Sequence, residues 1–479
     1  MQLTDAARHP RPGATGALAF TNFVAGLVQT IVIAVQGELP AMLEAPRSLT
    51  AWVVTATVMV GAALSPVIGR LGDLHSRKKV LAIVMGLCVL GSVIGGVADS
   101  AWGVIVGRGL QGVAIAAIPL GISILKEVAP PASLGRGIAI VSGGLAAGSA
   151  LGLPLGALIA GGLGDWIAGF WVCGALSVIA LGWIVLYVPD ARIPDGETAD
   201  DGSHTPGRFD AVGAVLVVIG TSGLIVGLSQ GLTRGWTSAF TLTALILGTL
   251  AGCAAWIHMW RTQDPLLDLR ASMRRPVLLT NLAAALLNFA LMASFVALPQ
   301  IMSLQPGGGV GLGLSVFAAS LIMTANGLAT VAATPLIGWL TTRWGPRATL
   351  ILGGAVVTAQ LALTLPASGN SWLLLALNIF LGVGFGLCFA GAPQLIMASV
   401  AARDVGAANG LNAQLRIFGT AAAGAVAGAI LAASDRAADG LPGPGLQAFQ
   451  ILFLVAAGAA AAGMIFAIGI PRTTKQCDA

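Results

Sequence analysis

The segment Gly69-Arg70-Leu71-Gly72-Asp73-Leu74-His75-Ser76-Arg77-Lys78-Lys79 separates two long runs of apolar residues. These runs, 50–71 before the segment and 79–98 after it, match the ~20 apolar residues that a helix needs to cross a bilayer. Only helices and closed barrels satisfy their backbone hydrogen bonds in lipid, and long runs without polar alternation favour helices. The segment is therefore predicted to be a short charged loop that joins two membrane helices.

The composition of the whole chain agrees with a membrane location. Hydrophobic residues make up 56% of the 479 residues and charged residues only 9%, against roughly 25% charged in a typical soluble domain. Mean hydropathy is +0.90. The net charge of +5 comes from short loops and forms no basic stripe, so we expect membrane lipids as partners and no nucleic acid.

Apolar runs of this kind recur along the chain and predict an all-α membrane protein with fourteen transmembrane helices. The predicted spans are 16–37, 50–71, 79–98, 103–126, 136–162, 167–188, 211–230, 240–260, 277–303, 314–341, 347–366, 372–398, 406–433 and 447–470.

The positions of the basic residues orient these spans. If the N-terminus is cytoplasmic, only Arg47, Arg234 and Arg436 of the 24 Lys and Arg residues fall in outer loops. Arg108 and Arg416 fall within spans, and all the others lie on the inner side. Because inner loops of membrane proteins are enriched in Lys and Arg, both termini are predicted to be cytoplasmic.

A fainter copy of the opening segment suggests two related halves. Gly338-Trp339-Leu340-Thr341-Thr342-Arg343-Trp344-Gly345-Pro346-Arg347 follows the tenth span, as the first copy follows the second. Such a repeat implies two bundles that rock about a central site. The predicted division is a cytoplasmic N-terminus 1–15, a six-helix bundle 16–188, a cytoplasmic linker 189–210, two inserted helices 211–260, a cytoplasmic loop 261–276, a second six-helix bundle 277–470 and a cytoplasmic tail 471–479.

Three motifs carry a resemblance to a known family. The opening segment resembles the signature loop of the major facilitator superfamily, with Leu74 in place of an Arg and Ser76 in place of a Gly. Gly107-Arg108-Gly109-Leu110-Gln111-Gly112 is similar to its R-x-x-Q-G element. Gly148-Ser149-Ala150-Leu151-Gly152-Leu153-Pro154-Leu155-Gly156-Ala157 resembles its antiporter motif, although Pro154 is one place late and Ala157 replaces a Gly. Together with fourteen spans, these motifs resemble the drug:H+ antiporter-2 family of multidrug exporters.

The resemblance implies roles for the motif residues. Gly69, Asp73, Arg77 and Lys78 would form a gating loop that latches the protein closed toward the cytoplasm; alternatively, the loop only sets topology. Gly148, Gly152, Pro154 and Gly156 would form a close-packed, kinked fifth helix that limits leak; ordinary helix packing explains the glycines equally well. Gly424 and Gly428 are expected to repeat this packing in the thirteenth span.

Proton coupling would need an ionisable group inside the membrane. A charge within a span is costly and faces the bundle interior or water, so Arg108 is expected to bind Gln111 or a carboxylate and, by resemblance, to take part in proton movement. Its alternative role is a structural link between helices. The family usually carries an Asp early in its first span, where this chain has Val28, and Glu38 is the remaining candidate acid. Glu38 is equally compatible with a solvated loop position.

Polar residues within spans are candidates for a substrate cavity, although they serve as often in helix–helix hydrogen bonds. They are Gln29, Gln36, Trp52, Gln111, Asn288, Asn326, Gln394, Asn412 and Arg416. A cavity with two buried arginines and few acids favours an anionic or neutral amphiphile over a dication.

The predicted function is export of hydrophobic or amphiphilic compounds, drugs or metabolites, across the bacterial inner membrane in exchange for protons. The alternative is a dedicated exporter or flippase of one endogenous lipid, cell-wall precursor or metabolite, not necessarily driven by protons. Uptake of a nutrient by symport fits the fifth-span motif less well. No Cys/His spacing suggests a metal and no Ser/His/Asp set suggests an enzyme, so we expect no cofactor, a proton gradient as energy source and a monomer.

Overall fold

A computed structural model describes residues 13–35, 39–159, 166–190, 209–307, 310–364, 369–400, 404–432 and 444–471. These residues fold almost entirely into α-helices, which confirms the predicted fold class. The long helices are α1 (Ala14–Thr30), α2 (Trp52–Leu74), α3 (Arg77–Gly96), α4 (Ala101–Val128), α5 (Pro131–Leu158), α6 (Ala168–Tyr187), α7 (Ala211–Arg234), α8 (Ala239–Arg261), α9 (Arg275–Ser303), α10 (Val316–Thr364), α11 (Ser371–Met397), α12 (Val405–Ala432) and α13 (Leu446–Gly469). Shorter helices lie at Leu39–Met42, Arg47–Thr50 and Leu269–Ser272.

Twelve helices in the described part of the chain are long and apolar enough to cross a membrane. One of them, within α10, has 47 residues; at 1.5 Å per residue it would measure about 70 Å, more than twice a bilayer core. Its backbone is non-helical at Gly345, with φ 83° and ψ 164°, and Pro346 follows. Helix α1 has 17 residues, just short of a full span. These features are compatible with fourteen crossings, and that number stays a prediction.

The buried apolar side chains form two main clusters. One runs from Ala17 to Val188, with Met397 and Val405 added from later helices. The other runs from Ala283 to Ile470. The chain therefore packs as two halves, each around its own core, as the repeated loop segment predicted; the residue bounds of the predicted domains stay a prediction.

Helix α7 contacts both halves, and α8 packs beside α7. Ser229 Oγ on α7 lies 2.7 Å from Thr55 Oγ1 on α2. Two turns earlier in α7, Thr221 Oγ1 accepts a hydrogen bond from Gln414 Nε2 on α12. Helix α7 thus packs along the line where α2 of the first half meets α12 of the second.

Small residues bring the two halves together at two seams. In the α2–α12 seam, Gly69 lies directly against the backbone of Gly406, and Gly410 lies against Pro66. In the α5–α10 seam, Gly327 lies against Ala150. Because small residues let helix backbones approach closely, the two halves are in direct contact at both seams.

Candidate functional site

A cavity of about 180 Å³ lies between the two halves. Helices α1, α4 and α5 of the first half and α9, α10, α11 and α12 of the second contribute to its wall. The lining is mostly apolar, with a few polar side chains placed among aliphatic and aromatic ones. This is the usual composition of a pocket for a small organic molecule.

Arg416 on α12 is the charged side chain among the described lining residues. It is only 8% exposed, and the Cζ atom of its guanidinium lies 4.1 Å from the centre of the Phe389 ring. Phe389 in turn stacks on Phe385, with ring centres 4.1 Å apart. Arg416 therefore lies over an aromatic pair that belongs to α11, on the same side of the cavity.

Three amides also line the cavity, together with the hydroxyl groups of Thr30, Ser149 and Thr420. Asn288 Nδ2 on α9 donates 2.9 Å to the backbone oxygen of Arg416 and also to Thr420 Oγ1, so it ties α9 to α12. Gln29 Nε2 donates to Ala25 O within α1 at 3.1 Å. Asn326 Nδ2 lies 3.4 Å from Asn378 O on α11. Each of these amide nitrogens donates to an oxygen of the protein, and the three side chains line the cavity.

One end of the molecule is held closed by Asp73, the last acid of α2. Its carboxylate, only 7% exposed as a residue, accepts 3.0 Å from Gly406 N and 2.7 Å from Ala407 N. These two N–H groups belong to the first turn of α12, where helix backbone donors have no partner in the helix and the helix dipole favours negative charge. A carboxylate of the first half thus caps a helix of the second.

Ionic contacts surround this cap. Arg77 Nη2 lies 2.6 Å from Asp73 Oδ1, and Arg77 Nη1 also pairs with Glu127 on α4. Arg70 Nη1 pairs with Asp404 of the second half at 3.3 Å. A second link between the halves runs from Lys126 Nζ to Met397 O at 3.1 Å. Polar contacts between the two halves therefore cluster at the end that carries the connection between α2 and α3.

Lys78, in the first turn of α3, makes a different contact. Its Nζ donates 2.9 Å to Val185 O on α6, within the first half. Ser76 caps α3 by accepting from Lys79 N at 3.3 Å. Lys78 and Ser76 thus fix the loop to its own half, whereas Asp73 reaches across.

Arg108 on α4 is buried, with 1% exposure, and does not line the cavity. Its Nη1 donates 2.8 Å to Val28 O on α1 and 2.8 Å to Gln111 Oε1, and its Nε lies 3.3 Å from Val53 O on α2. Gln111 Nε2 continues the network to Ser92 Oγ on α3 at 2.8 Å. The guanidinium joins four helices of one half through Gln111 and backbone oxygens; the predicted alternative partner, a carboxylate on the first span, does not appear among the described contacts.

The glycines of α5 face two neighbours. A Cβ at Gly144, Gly148 or Gly152 would clash with Ala19 O, Phe23 O or Thr30 Oγ1 on α1. On another face of α5, Gly143 lies against Thr334 of α10. Pro154 lies inside the helix near its end. The α5 glycines therefore permit close contact with α1 inside the first half.

The sequence matches a family model over nearly its whole length. The model for the Major Facilitator Superfamily covers residues 18–292 and 278–478. The chain belongs to the major facilitator superfamily. Its two halves, each packed around its own core, agree with that family.

Relatives within the superfamily are distant in sequence. The Multidrug resistance protein B homolog of Mycobacterium tuberculosis (strain ATCC 25618 / H37Rv) is 25% identical over 358 residues, which are 72% of this chain and 62% of that protein. The chain thus spans less than two thirds of that relative. The Tetracenomycin C resistance and export protein of Streptomyces glaucescens is 25% identical over 435 residues, 89% of this chain and 76% of that protein.

Solved major facilitator structures share the fold. The crystal structure of the human organic anion transporter MFSD10 (TETRAN) has a TM-score of 0.65 at 14% identity and covers 96% of this chain and 99% of its own. The proton:xylose symporter XylE bound to 6-bromo-6-deoxy-D-glucose has a TM-score of 0.66 at 14% identity and covers 96% of each chain.

Four of the predicted cavity residues line the cavity of this major facilitator protein, namely Gln29, Asn288, Asn326 and Arg416. Four others lie elsewhere. Trp52 packs edge-on against Phe240, and Gln111 binds Arg108. Gln394 Nε2 donates to Ala390 O within α11. Asn412 Nδ2 donates 2.9 Å to Asn281 Oδ1 on α9. Their side chains are taken up by helix contacts. Gln36 and Glu38 lie outside the described residues.

Sequence reasoning missed the aromatic wall. Phe385 and Phe389 line the cavity, yet a Phe in a membrane span has no local signal that separates a cavity face from a packing or lipid face. Gly424 was predicted to repeat the close packing of α5, and this is wrong, because a Cβ there would meet no atom within 4 Å. The equivalent contact is made by Gly419, which lies against the Ala285 backbone of α9.

Proposed function

We propose that this transporter exports hydrophobic or amphiphilic small molecules across the bacterial inner membrane by alternating access, in exchange for protons. The observation that carries the proposal is the central cavity, which is lined by both halves and mostly apolar. Rocking of one half against the other would expose such a cavity to each side of the membrane in turn. Distant relatives named for drug resistance and for export of tetracenomycin C support this direction.

The hydrogen bonds from Gly406 N and Ala407 N to the Asp73 carboxylate, here called the Asp73 latch, supply the moving contact. The latch lies in the loop segment predicted to be cytoplasmic from the Lys and Arg distribution, with both termini on the same side. Opening the latch would admit substrate from the cytoplasm, and closing it would direct the cavity outward. The working unit is proposed to be a monomer without a cofactor.

Proton exchange is proposed to act through Glu38, with Arg108 as a supporting residue. The cavity has no acidic side chain among its described lining residues, and Glu38 follows the first span in the sequence. A carboxyl group that is desolvated when one side is closed can bind and release a proton near neutral pH.

Reconstituted proteoliposomes with an imposed pH gradient test this function. A fluorescent amphiphilic dye is followed for the wild type, for Glu38→Gln and for the control Glu44→Gln, which removes a nearby acid of the same loop region. We expect gradient-driven dye movement for the wild type and the control, and loss of the dependence on pH for Glu38→Gln. Dye movement that ignores the gradient refutes proton exchange. Failure to move any dye, with movement of a single lipid or metabolite instead, supports a dedicated exporter.

A further inference from the structure

The charge of the central cavity is one-sided. Its described lining residues include one guanidinium, that of Arg416, and no carboxylate. A ligand cation would therefore meet a like charge in a space where few waters screen it, whereas a ligand anion would meet an opposite charge. The electrostatics of the described lining favour an anion.

The hydrogen-bonding state of Arg416 points the same way. Its Nε is buried and has no hydrogen-bond partner within the part of the chain that the structure describes, although the residue is only 8% exposed. Contact with the Phe389 ring, 4.1 Å away, stabilises the face of the guanidinium through a cation–π interaction. It leaves the edge, where all five N–H donors point, for another acceptor.

A planar carboxylate fits that edge. Arginine binds carboxylates through two parallel N–H···O bonds in a fork geometry, and these charge-assisted bonds are stronger than neutral ones. Burial without an acceptor disfavours a guanidinium nitrogen, so a bound carboxylate would satisfy a group that the described protein leaves unsatisfied.

The rest of the cavity accommodates an apolar body. Phe385 stacks on Phe389 with an interplanar angle of 18°, and both rings, with Leu291, Met292 and Phe295, line the same space. Aromatic faces bind flat ring systems by offset stacking and by exclusion of water. The guanidinium and the apolar wall are adjacent because Arg416 lies directly on Phe389.

We propose that the central cavity selects amphiphiles that carry one negative charge on a flat apolar body, with the carboxylate or a similar anion paired to Arg416. This inference rests on the proposed function, since it names the substrate class of the same cavity. It assigns Arg416 a binding role because Arg416 lines the cavity. Arg108 is not among the lining residues, and its Nη1 donates to Val28 O and Gln111 Oε1.

Binding of three matched probes to the purified full chain tests the proposal. The probes share one ring system and differ in charge: 1-naphthaleneacetate, the neutral 1-naphthaleneacetamide and the cationic 1-naphthylethylamine. Isothermal titration calorimetry gives the dissociation constant of each. For the wild type we expect the acetate to bind roughly tenfold or more tightly than the amide, as one charge-assisted hydrogen-bond pair predicts, and the amine to bind most weakly.

Three variants separate the contributions. Arg416→Gln should bring the acetate down to the affinity of the amide and leave the amide within about twofold, because the charge is lost while the side-chain length is nearly kept. Arg416→Lys should keep part of the preference, since Lys offers a charge without the planar fork. Arg261→Gln is the matched control, the same exchange at an exposed arginine of α8, and should behave as the wild type.

Each outcome decides something. Equal binding of acetate and amide by the wild type, or an acetate preference that survives Arg416→Gln, overturns the inference while the export of amphiphiles stands. If none of the three probes binds the wild type, the amphiphile cavity itself is refuted and the inference falls with it. Should Arg416→Gln fail to fold, the wild-type comparison and Arg416→Lys still decide, together with Phe385→Leu, which should weaken all three probes alike.

Discussion

The carboxylate of Asp73 accepts a hydrogen bond of 3.0 Å from the backbone N–H of Gly406, which lies 333 residues later in the chain. Gly69, one helical turn before Asp73, lies against the same glycine. A side chain at Gly406 would displace the carboxylate, since a Cβ there would come within contact distance of Asp73. Close approach and helix capping therefore depend on each other at this one point, where the two halves meet.

Asp73→Ala is expected to open this end of the molecule. It removes the cap of α12, which contributes about 1–2 kcal/mol in comparable helix caps, and such a change shifts a two-state population by roughly 5- to 30-fold. Spin labels at His75 and Arg343, both exposed and in different halves, report the opening by electron–electron double resonance. The labels are introduced after Cys253→Ser and Cys477→Ser. We expect a longer-distance population to grow in Asp73→Ala.

Asp190→Ala is the control for that measurement. Asp190 accepts from Ser76 Oγ within the first half, so its loss removes a carboxylate at the same end without touching the seam. Its distance distribution should equal that of the parent. If Asp73→Ala and Asp190→Ala give the same distribution, the capping bond does not hold the halves together.

The Arg108 network makes a prediction about stability. Gln111→Ala removes the acceptor at 2.8 Å from Arg108 Nη1 and the donor to Ser92, in a site where water has little access. Leaving a buried charged donor without its acceptor costs about 1–3 kcal/mol. The thermal midpoint in detergent should therefore fall clearly. Gln300→Ala, which loses only a bond to Val296 O within its own helix, should change it little; equal losses for both variants would contradict the proposed weight of the network.

The sequence predicted the long helices because long apolar runs are local signals. Its prediction of a loop from Gly69 to Lys79 is too long, since α2 continues to Leu74 and α3 begins at Arg77. It also predicted that Arg108 would bind Gln111 or a carboxylate, and the structure gives it the first of these two partners. It did not identify α12 as the helix that Asp73 caps, since backbone N–H groups of a distant helix leave no mark in the sequence. The Arg70–Asp404 ion pair was not predicted either, because its two residues lie far apart in the sequence.

The cavity was predicted only in its polar part. Arg416 and Asn288 were recognisable because polar groups are rare in membrane spans. Trp52 and Asn412 also lie within predicted spans, yet their side chains contact other helices. The direction in which a side chain points from its helix decides whether it lines the cavity or contacts a neighbouring helix. That orientation depends on the packing of the two halves, which a single sequence does not encode locally.

Asp210 predicts a pH-dependent contribution to stability. Burial raises the pKa of its carboxyl, but hydrogen bonds from Gly213 N, His258 Nε2 and Leu266 N outweigh this and leave the pKa below its ordinary value of 3.8. A lowered pKa in the folded state means that the stabilisation is fully present above pH 3.8 and is lost as the pH falls through the folded value. Asp210→Asn should therefore be less stable than the wild type at neutral pH, and the difference should shrink in acid.

Thermal midpoints of both proteins between about pH 3 and pH 8 measure this difference, since linkage ties it to proton uptake on unfolding. Asp99→Asn, at an exposed position, is the matched control and should track the wild type throughout. A difference between wild type and Asp210→Asn that grows as the pH falls would reverse the sign and refute the assignment.

Gly148 should be the least replaceable glycine of α5. A Cβ there would overlap Phe23 O and come close to Leu27 N on α1. Both are backbone atoms, which cannot move aside by a change of rotamer. Overpacking of a well-packed interior typically costs 1–3 kcal/mol, occasionally more, so Gly148→Ala should lower the thermal midpoint and the yield of folded protein. Gly86→Ala, where a Cβ would meet nothing within 4 Å, should be neutral or slightly stabilising, since alanine favours helix. If Gly148→Ala is as stable as Gly86→Ala but transports more slowly, α5 must move against α1 during transport, and the glycine serves the motion instead of the packing.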